Sequence, residues 1–225
     1  MTRHPRDPHS AASEPQRRRA LARLIAASLP ALFAGCAGTL LPQPSAAPAR
    51  FTLDGAAATA TTVTPRAAAV GAPVLVVEVP RAAAGHDSTR MVYLRRPQEL
   101  EAFAFHEWVD TPAQMLAPLM VHSLQDSGAF RVVLQAPSAA SGGLRLETEL
   151  IRLQQDFGTR PSHVRLTLRA VLMDSATRQA VAWRVFDESV PATGDDPVSG
   201  VAAAHLATQR MLAALAAFCV SQSGR

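Results

Sequence analysis

Apolar and polar positions alternate through three long segments in the second half of the chain, Leu144–Leu150, Val164–Leu172 and Val181–Val185. Strict alternation is typical of strands that bury one face and leave the other in water. The pattern therefore predicts three consecutive long strands in an antiparallel meander with a polar outer face. The alternation changes phase at Leu150–Ile151, which predicts a β-bulge there.

Shorter apolar runs predict further strands upstream. Val74–Val79 is a β-branched run flanked by prolines, as expected of a buried strand. Met91–Leu94 and Leu100–Trp108 predict a second and a third strand that pair with each other, and Phe130–Leu134 predicts another. The segment 137–143 between this strand and the meander is expected to be a loop.

Two segments have the spacing and the terminal residues of helices. The first begins at Thr111-Pro112, a capping residue followed by a proline at the first helical position, and ends at Gly128. Pro118 lies inside it and predicts a kink or a short first turn. The second begins at Asp196-Pro197, and its apolar stripe consists of Val201, Ala204, Met211, Leu212, Leu215, Phe218 and Cys219. Together these elements predict one α+β domain over residues 73–221, a mixed, mainly antiparallel sheet with two helices packed on one face.

The first 35 residues have the features of an export signal. Basic residues at 17–19 and 23 precede an apolar run of about 11 residues, Leu24–Ala34, which is too short to cross a bilayer as a helix. The run ends in Leu32–Cys36, which resembles a bacterial lipobox. In lipobox proteins the cysteine thiol carries a diacylglycerol, the signal is cut before it, and the new amino terminus is acylated. The expected modification site is thus Cys36, and the alternative is an ordinary signal peptide with a chance cysteine.

Residues 36–72 are predicted to tether the domain to that anchor. Ala37–Ala49 contains three prolines among small residues and would reach about 40 Å if extended. Arg50–Leu53 predicts a short extended piece, and the Ala- and Thr-rich segment Asp54–Ala72 is expected to be a mobile loop. Two or more acyl chains on such a tether give stable membrane anchoring, whereas one chain holds only marginally.

The charge of the chain is concentrated in the signal. The formal net charge is +4 and the pI about 10.3, but six arginines and two acids precede Cys36, and sixteen arginines balance sixteen acids from there onward. A formally neutral remainder argues against a nucleic-acid partner, which needs a clustered basic face.

The sequence contains no recognisable catalytic or metal-binding motif, so no catalytic residue, no metal site and no cofactor other than the lipid on Cys36 is predicted. The histidines after Cys36 lack metal-ligand spacing, and Cys219 lies on a helix stripe, as expected of a buried structural thiol. Glu147 and Glu149 share a strand face with arginines nearby, which favours cross-strand charge pairing over acid catalysis. An envelope hydrolase is the least favoured alternative.

The aromatic segment around Phe103, Phe105 and Trp108 is the feature that could bind a partner. Strand alternation places Phe103 and Phe105 on one face and Trp108 on the other. In one interpretation the two phenylalanines fill the core and Trp108 seats the following helix. In the other, the segment forms a partly exposed ridge that contacts a partner protein or an acyl chain.

The order of these features resembles that of the ABC-type transport auxiliary lipoproteins of Gram-negative bacteria, the PqiC-like family. The resemblance covers nearly all of the chain from Cys36 to Ser221. It rests on an ordered set of motifs after the lipobox and tether: Phe51–Leu53, Pro73–Pro80, Arg96-Pro97-Gln98, Trp108, Pro112 and Ser127–Phe130.

The resemblance implies a non-enzymatic subunit that works beside an ABC permease, its ATPase and an MCE-domain protein in the traffic of lipids or hydrophobic solutes. ATP hydrolysis would then belong to another subunit. Ala37 after the anchor resembles the pattern that sorts lipoproteins to the periplasmic face of the outer membrane, with the inner membrane as the less favoured site. Self-association stays open, and the alternative function is an envelope-assembly lipoprotein that supports an outer-membrane complex.

Overall fold

The structure, a computed structural model of the chain, describes residues 47–54, 71–138 and 142–223. The predicted signal peptide, Cys36 and most of the predicted tether lie outside the described residues. The chain from Ala47 onward belongs to one compact unit.

A mixed sheet of nine strands and two helices accounts for most of the described residues. The strands are β1 (Ala49–Phe51), β2 (Val74–Val77), β3 (Arg81–Ala82), β4 (Arg90–Arg96), β5 (Glu99–Trp108), β6 (Val132–Gln135), β7 (Leu144–Asp156), β8 (His163–Asp174) and β9 (Ala180–Pro191). The helices are α1 (Pro112–Asp126) and α2 (Pro197–Gln222). This architecture confirms the predicted α+β class.

The 13-residue strand β7 organises the sheet. One of its edges pairs along its whole length with β8, which pairs in turn with β9, and these long pairings are antiparallel. Its other edge pairs with three short parallel strands in succession, β2, then β3, then β4. Strand β6 extends the sheet beyond β2, and β5 and β1 extend it beyond β4. The sheet therefore splits into two arms on that side.

Most of the predicted strands are confirmed, with shifts of a few residues at their ends. The bulge predicted at Leu150–Ile151 is present as a register shift between Leu150 and Arg152 in the pairing of β7 with β8. Strand β3 was not predicted, because two residues are too few to show a period. Strand β1 brings into the sheet three residues that the sequence interpretation assigned to the tether.

Both helices begin at the predicted caps. The Thr111 side chain accepts a hydrogen bond from the Gln114 backbone N–H at 3.4 Å, and Asp196 accepts from Val198 and Ser199, both at 2.9 Å. Helix α1 is continuous through Pro118, which lies on its exposed side, and it ends before Gly128, where a positive φ of 67° suits glycine.

The helices cover the inner face of the sheet. Helix α2 packs against β8 and β9, helix α1 packs against β2 and β6, and the helices touch each other. Every residue of the stripe predicted for α2 is buried. This helix is also long and apolar enough to cross a membrane by length and composition, although half of the relevant stretch is buried against the domain.

The orientation predicted for β9 is wrong. Val181, Trp183 and Val185 were expected to face the core, but they are exposed on the outer face, with Trp183 66% exposed. Phe186 and Val190 take the inner positions instead, and the Phe186 ring meets Phe218 of α2 edge-on at 6.0 Å. The large inward Phe186 fixes which side of the strand faces α2, and the outer face of the meander is therefore partly apolar.

Candidate partner-binding site

The predicted aromatic segment contains a large bulge in β5. Arg90 of β4 pairs with Glu107, but Val92 pairs with Ala102, so one residue of β4 lies opposite the four residues 103–106. A bulge of this kind bends the strand and redirects its side chains. Phe103 consequently packs against the core, whereas Phe105 is 53% exposed.

Aromatic rings from three strands and the segment after β7 support this bulge. The rings of Tyr93 and Phe103 lie 4.4 Å apart, and Phe157 meets them edge-on at 5.7 Å and 6.3 Å. The His106 ring lies 6.1 Å from Phe103 and stacks on Phe51 of β1 at 5.9 Å. We call these five residues the aromatic cluster. Such ring pairs are favourable beyond the area they bury, so the cluster stabilises the bulge that contains Phe105.

Polar contacts fix the rim of the cluster. The Tyr93 hydroxyl donates to a Glu101 carboxylate oxygen at 2.8 Å, and this hydrogen bond raises the pKa of Tyr93. The Arg95 guanidinium lies over the Tyr93 ring at 5.2 Å. Arg50 and Glu107 form an ion pair across β1 and β5 at 2.8 Å. Charged groups of both signs therefore lie at the edge of the aromatic cluster.

Strand β1 holds the cluster at the point where the chain enters the domain. The Val109 backbone N–H donates to the Phe51 carbonyl at 2.8 Å, and the His205 ring lies 3.0 Å from the Thr52 carbonyl oxygen. These contacts tie β1 to both β5 and α2. Strand β1, which begins two residues after the first described residue Ala47, is therefore part of this region of the surface.

Trp108 belongs to the core. It is 4% exposed, and its backbone N–H donates to the Thr89 carbonyl at 2.8 Å. Together with Phe103 it borders an apolar cavity of about 20 Å³. A cavity of that size has room for about one water molecule and is far too small for an acyl chain. Of the three residues singled out from the sequence, Phe105 alone is available to a partner.

Other functional groups of the described residues are dispersed. No group of three His, Cys, Asp or Glu side chains within residues 47–54, 71–138 and 142–223 could hold a metal ion. The Glu149 carboxylate pairs with Arg169 of β8 at 2.5 Å, which confirms cross-strand charge pairing for this residue. Arg145 forms an ion pair with Glu78 beside an open depression of about 430 Å³ at the carboxyl ends of β2 and β6.

Two titratable side chains with shifted pKa values, Cys219 and His86, are buried parts of the domain structure. The Cys219 thiol is fully buried, as the sequence predicted, and burial raises its pKa to about 12, which leaves it protonated and unreactive. The His86 ring accepts the Leu153 backbone N–H at 3.4 Å, and burial lowers the pKa of His86.

Tyr93, Phe157 and Phe51 were not recognised from the sequence as parts of one site, whereas His106 lies inside the predicted aromatic segment. They lie on separate elements that only the pairing of β1, β5, β4 and β7 brings together. The available signal was the density of aromatic residues in the short strands, but this signal does not specify their partners.

The described domain is a small α+β module whose exposed features suit contact with other molecules. The chain belongs to the family of ABC-type transport auxiliary lipoprotein components, because the family's sequence model matches residues 51–217. The family suspected from the ordered motifs is thus confirmed.

Two solved structures share this fold at low sequence identity. A DUF330 protein from Xanthomonas campestris is 22% identical over 79% of this chain and 95% of its own, with a TM-score of 0.64. An uncharacterised protein is 13% identical over 77% of this chain and 99% of its own, with a TM-score of 0.59. A PelC dodecamer from Paraburkholderia phytofirmans is more distant, at 14% identity over 72% of this chain and 94% of its own and a TM-score of 0.43. No curated protein sequence matches the chain.

Proposed function

We propose that this protein is a lipid-anchored, non-enzymatic accessory subunit of an ABC transport system that moves lipids or hydrophobic solutes with an MCE-domain protein. The family match over residues 51–217 is the observation that carries the proposal, since this family comprises auxiliary components of ABC-type transport. The proposed location is the periplasmic face of the outer membrane.

The proposed anchor is a diacylglycerol on the thiol of Cys36, with an acyl chain on the new amino terminus. The family consists of lipoproteins, and the sequence places a cysteine after a short apolar segment, 13 residues upstream of Ala49. A segment of that length reaches about 40 Å when extended. The anchored domain would therefore contact its partner close to the membrane surface.

The proposed contact with the transport system is the exposed Phe105 on the aromatic cluster. Aromatic side chains with charged rims are typical centres of protein interfaces, because the ring fills a pocket and the rim excludes water. Phe105 is exposed, and Glu107, which pairs with Arg50, lies two residues further along β5. The small cavity behind Phe103 supports a docking role over a solute-carrying one.

Copurification from membranes tests this function. The tagged chain, expressed in its own host and extracted in mild detergent, is expected to recover an MCE-domain protein together with ABC transporter subunits, identified by mass spectrometry. Phe105→Ala is expected to reduce this recovery at least about thirtyfold, as for an interface hot spot. Recovery of no transport subunit would contradict the proposal.

Trp183→Ala is the matched control. It also removes an exposed aromatic side chain from the sheet, but on β9, at the opposite edge from β1. It is expected to leave recovery of the transport subunits unchanged. Equal losses with both variants would indicate nonspecific hydrophobic capture and would contradict a site at Phe105. Copurification of an outer-membrane β-barrel instead would favour the envelope-assembly alternative.

A further inference from the structure

Strand β1 is a short strand with one pairing partner. It has three residues, and within the described part of the chain it pairs only with β5. Ala49 and Arg50 are exposed, and the buried contacts begin with Phe51 and with Leu53, which is 6% exposed. A strand with few buried contacts and a single neighbour opens more readily than the long strands β7 and β8.

The bulge in β5 depends on β1 because it lacks regular pairing with β4. Residues 103–106 lie opposite a single residue of β4, so the ladder on that edge does not fix each of their positions. His106, the last residue of the bulge, pairs instead with Ala49 of β1. Glu107 then pairs with β1 on one edge and with β4 on the other. Strand β1 therefore holds the end of the bulge on the side where β4 does not.

Ring contacts connect β1 to the same bulge. The Phe51 ring stacks on His106 at 5.9 Å with 17° between the ring planes, and the His106 ring meets Phe103 edge-on at 6.1 Å. The Val109 backbone N–H donates to the Phe51 carbonyl at 2.8 Å, which fixes the chain just after β5. Phe105 thus lies between two residues, Phe103 and His106, that belong to one series of ring contacts starting on β1.

We propose that β1 positions Phe105 for the partner, so that the strand that follows the proposed membrane anchor is also a structural part of the binding site. The inference rests on the proposed function of Phe105 and adds Phe51 and His106 as positioning residues. Because strand docking and partner binding are linked, a partner bound at Phe105 would in turn stabilise β1 on β5. Detachment of β1 from β5 would correspondingly weaken the binding of the partner.

Hydrogen–deuterium exchange of the full chain, purified in detergent, tests whether β1 holds the bulge. Phe51→Ala removes the ring that stacks on His106, and it is expected to raise the amide exchange rates of residues 104–109 at least about tenfold. Exchange in β7 and β8 is expected to change less than about twofold, because these strands do not pair with β1 in the described part of the chain. A merely general loss of stability would raise exchange throughout the domain.

Phe51→Tyr is the matched control, because it keeps the ring that stacks on His106. Its exchange rates are expected to equal those of the wild type. In a His106→Ala background the stack is already absent, so Phe51→Ala is expected to add less than about threefold. Unchanged exchange of residues 104–109 in Phe51→Ala, or an equal rise in every strand, would overturn the inference.

Copurification from membranes of the native host tests the effect on the partner. Phe51→Ala retains Cys36, and it is expected to reduce the recovery of transport subunits at least about tenfold, whereas Phe51→Tyr recovers them like the wild type. Faster exchange of residues 104–109 with undiminished recovery would overturn the link between β1 and the partner. A wild-type chain that recovers no transport subunit would contradict the proposed function, and the exchange rates would still decide whether β1 holds the bulge.

Discussion

The contact between Gly200 and Gln155 permits a quantitative prediction about the packing of α2. A Cβ at Gly200 would overlap the Gln155 Oε1 and would lie 2.8 Å from its Cδ. The Gln155 side chain is 4% exposed, and its amide nitrogen donates to the Ser162 hydroxyl at 2.9 Å and to the Asp196 carbonyl at 3.3 Å. Gly200→Ala must therefore displace a buried amide from two hydrogen bonds.

The stability that Gly200→Ala is expected to lose exceeds the stability gained from the higher helix propensity of alanine. Replacing glycine by alanine in a helix contributes about 1 kcal/mol of stability. Two lost hydrogen bonds cost about 1 kcal/mol each, and an amide left buried without partners adds about 1–3 kcal/mol. The net expectation for Gly200→Ala is a decrease of about 2–4 kcal/mol in the free energy of unfolding.

Urea denaturation followed by far-ultraviolet circular dichroism measures this change. Gly143→Ala is the matched control, because its Cβ would meet only the Pro73 Cβ at an ordinary 3.7 Å, and its stability is expected to change little. In a Gln155→Ala background the clash is gone, so Gly200→Ala is expected to become neutral or stabilising. A Gly200→Ala variant as stable as the wild type would refute the conclusion that Gln155 leaves no room for a side chain at position 200.

Three further predictions concern side chains with contrasting burial. Phe105→Ala is expected to change the free energy of unfolding by less than about 0.5 kcal/mol, because Phe105 is exposed. Trp108→Ala is expected to lower it by about 3–5 kcal/mol, because Trp108 is buried. Urea denaturation measures both changes, and similar losses in the two variants would contradict the difference in burial. Burial lowers the pKa of His86 in the folded state, so the unfolded state binds more protons and stability falls as pH decreases from about 6.5 through the lowered folded pKa. His86→Gln should flatten this pH dependence in denaturation curves at pH 5–7, and an unchanged slope would assign it to other groups. The Cys219 thiol should react with a thiol reagent only after unfolding, and rapid labelling of the native chain would contradict its burial.

Local sequence patterns were sufficient to predict an element and its buried face where one face is clearly apolar. Strand β7 alternates up to its bulge at Leu150 and β8 from Val164 to Ala170, and the caps at Thr111 and Asp196 start both helices as predicted. Strand β9 has apolar residues on both faces, Trp183 on one and Phe186 on the other. Alternation alone could not decide which face is buried, because that choice depends on contact between Phe186 and α2.

The candidate site depended on information that is not local. Alternation places Phe103 and Phe105 on the same face of a regular strand, but the bulge opposite Met91 separates them, so that Phe103 packs inward and Phe105 faces solvent. The bulge becomes visible only when the pairing of β4 with β5 is known. The rings of the aromatic cluster come from positions as distant in sequence as Phe51 and Phe157.

A membrane-anchored accessory role depends on the lipid at Cys36 more than on any other feature. Mass spectrometry of the amino-terminal peptide of the mature protein, isolated from membranes of its own host, tests this most directly. The predicted result is a chain that begins at Cys36, with a diacylglycerol on the thiol and an acyl chain on the amino group. A mature chain with an unmodified Cys36, or one that retains the residues before it, would contradict the proposed anchor.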